Sequence, residues 1–162
     1  MKQTNSAGMI MILFFFMSTT VMAVDISALD RVSVLMAKQK VISILGAPDE
    51  TGTISMGLKA EIYKVAGVAK GDAGSMLGAG LVYDTNSILK GQALMFDGRV
   101  ARQSADHMKE IGFTLAEAKE NSFRLLGKDD DTGLPIVVLV FEQEGITTIM
   151  TFEKGFYDRM AK

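Results

Sequence analysis

Pro135 to Phe141 (PIVVLVF) is apolar at every position, with the turn-forming Asp131-Thr132-Gly133 before it and Glu142 to Gly145 after it. Such a run is predicted to be an interior strand with both faces covered. Ile146 to Phe152 reads as the returning strand. Upstream, Ala60 to Val65 (AEIYKV) and Ile88 to Phe96 are also strand-like. Asp97-Gly98 is a favoured hairpin pair, so Arg99 to Arg102 is expected to pair back. The helical patterns elsewhere are too short to be stable alone and must pack across a sheet. The expected fold class is therefore α+β.

Displaced by 81 positions, the chain matches itself without a gap: Ala37 to Gly52 against Ala118 to Gly133, with seven of sixteen positions identical. Each copy reads as a short amphipathic helix stopped by Leu-Gly, then a polar turn, then a strand. In the first copy Val41, Ile44 and Leu45 form the apolar stripe. Gly46 is the stop, and Pro48 cannot continue the helix. In the second, Thr114 and Glu117 have the spacing of a capping box. Leu115, Ala118, Ser122 and Leu125 then share a helical face, and Gly127 suits the left-handed stop. The predicted architecture is two helix-plus-antiparallel-sheet repeats, residues 24–105 and 106–162. The first is interrupted by a glycine-rich loop over residues 67–80 (GVAKGDAGSMLGAG).

Residues 1–23 have the layout of a cleavable secretory signal peptide, the other reading being a retained membrane anchor over Ala7 to Val24, which Ser18, Thr19 and Thr20 interrupt. Lys2 marks a short polar start, Met9 to Met17 (MIMILFFFM) is the apolar core, and Val21-Met22-Ala23 supplies small or β-branched residues at the −3 and −1 positions of a cut after Ala23. The expected location is periplasmic or secreted, with no membrane span after cleavage. Without Lys2, one fewer base than the seventeen of the whole chain faces nineteen acids, a net charge of −3. That balance argues against nucleic acid and against a polybasic membrane-binding face. With no cysteine, neither disulfides nor thiolate chemistry is available, and stability must come from a hydrophobic core.

Little in the sequence points to catalysis. His107 is the single histidine, and as a general base it would need Ser104 or Asp106 as companions. The other reading is a partly exposed side chain on a connecting helix. Asp129-Asp130-Asp131-Thr132-Gly133 has three readings: a solvated turn, a calcium loop, or an acid pair with Glu50 of the first copy. Val140 at the twelfth position does not suit calcium. The glycine-rich loop matches neither phosphate-binding fingerprint, which leaves a flexible spacer or a partner-contact loop with Asp72 and Met76 at its tip.

Met36 to Pro48 (MAKQKVISILGAP) resembles the signature of the BamE (SmpA/OmlA) family of small outer-membrane-assembly lipoproteins, in which a Gly-Met-Thr start leads to a Leu-Leu-Gly-x-Pro stop. Met36, Val41, Ile44, Leu45, Gly46 and Pro48 carry the match. Glu61-Ile62-Tyr63 and Phe96 to Val100 stand where the family has comparable features, and Gly112-Phe113-Thr114 with Leu125-Leu126-Gly127 looks like a second pass. The chain departs from the pattern at Leu35 (glycine in the family), at Ala37 (a capping threonine) and in having no lipidated cysteine. Ser33 is then the expected cap. Two such units are similar to the β-lactamase-inhibitor-protein-like fold, whose paired repeats present a concave protein-binding surface.

The expected function is a non-enzymatic protein-binding module of the periplasm or cell envelope, needing no cofactor and no metal, whose partner is an envelope protein. Tyr63, Asp72, Met76 and Tyr83 are the expected contact residues, the two tyrosines as aromatic anchors or as core residues with their hydroxyls at the edge. A small-molecule or lipid carrier with a cavity between helices and sheet is the first alternative. A hydrolase built on His107 is the second.

Overall fold

The computed structural model describes residues 24–66 and 75–161. The expected signal peptide and Asp72 lie outside the described residues. From the N-terminus run β1 (Val24–Asp25), α1 (Ile26–Leu29), α2 (Lys38–Leu45), β2 (Glu50–Thr53), β3 (Lys59–Ala66), β4 (Met76–Tyr83) and β5 (Leu89–Asp97). Then come α3 (Ala101–Glu110), β6 (Thr114–Lys119), β7 (Ser122–Lys128), β8 (Pro135–Gln143), β9 (Ile146–Glu153) and α4 (Lys154–Met160). The fold is α+β, as expected.

All nine strands belong to one sheet, in the order β1-β3-β4-β5-β9-β8-β7-β6, with β2 also on the outer edge of β3. Only the β1–β3 pairing is parallel. Strands β2 to β5 form one antiparallel meander and β6 to β9 another. The two meet where β5 pairs with β9, Ala93 opposite Met150. A helix precedes each meander, α2 the first and α3 the second. The division expected between residues 105 and 106 falls inside α3.

Directly opposed residues point to the same side of a sheet, so the register defines its two faces. Tyr63, Ala79, Leu94, Ile149, Val140 and Phe123 form one row across six strands. Its first half packs under α1 and α2 with Leu29, Val41 and Leu45. Its second half packs under α3 with Ala101, Ala105 and Met108, which recur at helical spacing. The other face carries Ala60, Val82, Ala93, Met150 and Phe152, covered by the turn around Ser55–Gly57 through Ile54 and Leu58, and by α4 through Phe156, Tyr157 and Met160. The Glu153 carboxylate starts α4 by accepting hydrogen bonds from the Gly155 and Phe156 amides. Two of the close approaches depend on glycine. A Cβ on Gly91 would lie 2.3 Å from the Phe152 ring, and one on Gly127 2.4 Å from the Phe113 ring.

Three local expectations are corrected. Thr114 to Leu126 is not a helix but the β6–β7 hairpin, with Leu115 opposite Leu125. The gapless match to residues 37–52 therefore aligns a helix with a strand. Gly127 stops nothing; it lies inside β7 opposite Ile136. Asp97-Gly98 does not make a hairpin either. Gly98, at φ +116°, bends the chain out of β5 and into α3. Buried Thr147 fixes that bend, accepting from the Val100 amide (3.0 Å) and donating to the Gly98 carbonyl (2.7 Å). Finally, Ser33 does not cap α2. Ala37 is the N-cap and makes no side-chain bond, while the Ser33 hydroxyl contacts Asp131.

The first Leu-Gly stop behaves as read. Gly46 follows Leu45 at φ +82°, and its amide closes the helix on Ile42. Leu35, which stands where the resembling family has glycine, is at φ +70°, a backbone region costly for a side chain of that kind.

Candidate functional site

The sheet face opposite α2 and α3 is covered only in part. α4 and the turn after β2 overlie the rows through Phe152 and Ala60. The outer row, Lys64, Gly78, Met95, Thr148, Phe141 and Ser122, continues beyond them. Met95, Thr148 and Phe141 are half-buried there. In the neighbouring row Arg124 stands opposite Leu139, its guanidinium 3.3 Å from Glu117. Its Nε is buried without a hydrogen-bond partner among the described residues. Lys119 also holds Glu117, at 3.0 Å, and this hydrogen-bonded partner keeps that carboxyl below the usual carboxylate range. At the strand ends Leu126 and Ile146 are exposed. A shallow depression of about 430 Å³ on this face is floored by Ile62, Ala93, Met95 and Met150 and edged by Glu50 and Thr148. This part of the face combines an apolar floor with a charged margin at Arg124.

Of the expected contact residues, Tyr63, Met76 and Tyr83 lie on the opposite face. Tyr63 is fully buried and Met76 nearly so, both in the core beneath α1 and α2. Tyr83 is half-buried against the same core. Tyr63 thus takes the core alternative, and Met76 is not at a loop tip but buried as the first residue of β4. Tyr83 has its hydroxyl buried rather than at an edge, and the Lys38 ammonium lies 5.6 Å from its ring centroid. Burial, aided by the Glu61 and Asp49 carboxylates, pushes the Tyr63 hydroxyl up to about 12. Burial and Tyr63 itself push Tyr83 higher still.

Met95, Phe141, Thr148 and Arg124 were missed by sequence reasoning. Their alternation along β5, β7, β8 and β9 is visible, but which face the helices would cover is not.

The catalytic candidates do not assemble. His107 is exposed on α3, its Nδ1 3.6 Å from Glu110 Oε2. Asp106 is held by Lys109 at 2.6 Å, which draws its carboxyl below the usual range. Ser104 lies on the same helix and has no side-chain bond to His107 among the described residues. In the triple-aspartate turn, Asp129 accepts from the Thr132 amide and hydroxyl, and Asp131 takes the Ser33 hydroxyl. Glu50 belongs to β2 at the other margin of the sheet, so it forms no pair with these aspartates. Among the described residues no group of three or more His, Cys, Asp or Glu is placed to hold a metal.

One cleft lies on the helical face, between the α1–α2 cover and the α3 cover. Gln92, Thr151 and Val138 are its floor, Leu29, Val32, Met108 and Phe113 its walls, and Asp30 with Asp129 to Asp131 its rim. It encloses about 430 Å³ and opens to solvent.

Among the described residues no helix is long and apolar enough to cross a membrane. Searched against models of known families, curated proteins and solved structures, the chain matches none.

Proposed function

We propose that this chain is an exported protein of the periplasm or cell envelope that acts without catalysis, by binding another envelope protein, in the manner of the outer-membrane-assembly proteins it resembles. The observation that carries the reading is the half-open sheet face, where Met95, Phe141 and Thr148 lie in one row beside Arg124, with Leu126 and Ile146 exposed at the strand ends. Rigid, paired strands hold such a surface in place before a partner arrives, which lowers the ordering cost of binding. An aromatic ring and an arginine are the side chains that most often dominate an interface. The two helix-plus-meander halves, joined at β5 and β9, are read as structural repeats: the same order of elements occurs twice, α2 then β2 to β5, and α3 then β6 to β9.

Affinity capture from envelope extract with the leaderless protein tests this. One envelope protein should be retained, and cross-links to it should map to β5, β8 and β9. Met95→Glu and Arg124→Glu should each reduce its recovery at least tenfold while the far-ultraviolet circular dichroism is unchanged. Cross-links confined to the helical face, or recovery indifferent to both substitutions, would refute the reading.

The cleft over Gln92 and Thr151 favours the second reading, a carrier of a small amphiphile, because its volume is that of a ligand site. Co-purified lipid or metabolite, displaced by Thr151→Phe, would support that reading against the first.

A further inference from the structure

Among the described residues, five buried side-chain polar atoms have no hydrogen-bond partner: Asp49 Oδ1, Glu61 Oε2, Tyr63 OH, Tyr83 OH and Arg124 Nε. Such groups are rare in folded proteins, and each is strongly unfavourable if left unsatisfied. Four of the five share one neighbourhood. Glu61 and Tyr63 are two residues apart on β3, so they point to the same face. Leu81 is opposite Glu61, and Tyr83, past an irregularity after Val82, packs against the same core as Leu81 and Tyr63. Asp49 leads into β2 alongside, its other carboxylate oxygen accepting from the Lys64 amide at 2.5 Å. Tyr63 is fully buried and Glu61 is 8% exposed.

The inventory is balanced. Two phenol hydroxyls can donate, and two carboxylate oxygens can only accept. Direct phenol-to-carboxylate bonds would satisfy all four, yet no such bond is formed among the described residues. A bridging molecule at these buried atoms must therefore both accept and donate. Water is that molecule, since buried water typically makes about three bonds to groups of this kind. A small cation would satisfy the carboxylates and leave the phenol protons without acceptors. It would also be repelled by the Lys38 ammonium, which already pairs with Glu61.

We propose that Glu61, Tyr63 and Tyr83 enclose an internal water site, extended outward to Asp49, in which bound water accepts from the two phenols and donates to the carboxylates. The site has a structural task. α2 begins at Ala37 with no side-chain cap, and its first residue, Lys38, reaches Glu61 and the Tyr83 ring. Ordered water fixes the Glu61 carboxylate, which in turn fixes the start of α2 on the sheet.

The test is a high-resolution crystal structure of the leaderless protein, with water-to-protein nuclear Overhauser effects in solution. Expected is a density peak about 2.7–3.0 Å from at least three of the four atoms, and long-lived water contacts to the Tyr63 and Tyr83 rings. Tyr63→Phe and Tyr83→Phe should each raise the unfolding equilibrium constant about fivefold. The double variant should fall short of the product, because both phenols serve one bridge. Direct phenol–carboxylate bonds with nothing between them would overturn the proposal. So would strictly multiplicative effects, or a peak with an anomalous signal after exchange into rubidium. Should the double variant fail to fold, the wild-type density and water contacts decide alone.

Discussion

Leu45-Gly46 and Leu126-Gly127 are the same dipeptide in aligned sequence windows, and they do opposite things. At the first, Gly46 takes φ +82° and ψ −169°, a region open essentially to glycine alone, and α2 ends there. No heavy atom would lie within 4 Å of an added Cβ. At the second, Gly127 is extended within β7, and it is glycine because the Phe113 ring lies against it. One glycine is required by its own backbone, the other by a neighbour. A repeated dipeptide therefore identifies a local structure only when the tertiary setting repeats too.

Substitution separates the two cases. Gly46→Ala should destabilise by about 2–3 kcal/mol, and no second-site truncation should recover it, because the strain is torsional. Gly127→Ala should cost less, about 1–2 kcal/mol, since the half-buried Phe113 ring can move. In a Phe113→Ala background that cost should shrink below about 0.5 kcal/mol. Urea unfolding of the four variants gives all the numbers. Equal costs with equal rescue would erase the distinction. The smallest effect should come at Leu35, already at φ +70°: Leu35→Gly should be neutral or stabilise by up to about 1 kcal/mol, as relief of left-handed strain offsets lost packing and chain entropy. A loss above about 1 kcal/mol would show that the side chain matters more than the backbone.

The same contrast explains what could be read from the sequence. β3, β5, β8, β9 and α2 were legible because their signals are local: alternation, an unbroken apolar run, or a short stripe with a glycine stop. Thr114 to Lys128 was not, because its capping-box spacing and its Leu115, Ala118, Ser122, Leu125 pattern fit a helix. Pairing with β8 overrides that preference, burying Phe123 and Leu125 and leaving Arg124 and Leu126 on the other face. β6 gives no burial signal at all, since all six of its residues are exposed. The bend at Gly98 rests on Thr147, 49 residues away, and no window of sequence contains both. At the candidate site the strands are legible but the covered face is not, because its cover comes from α1, α2 and α3, and the pattern within a strand does not say which face they take.

The account rests on one continuous sheet in which the second meander, like the first, follows its helix. Backbone nuclear Overhauser effects across residues 114–128 test it most directly. Cross-strand contacts from Leu115 to Leu125 and from Leu125 to Val138, together with Ala93 to Met150 at the join, are predicted. Sequential amide contacts with (i, i+3) connectivities from Thr114 to Leu126 would contradict it. They would restore a helix there and dissolve the sheet face on which the proposed partner docks.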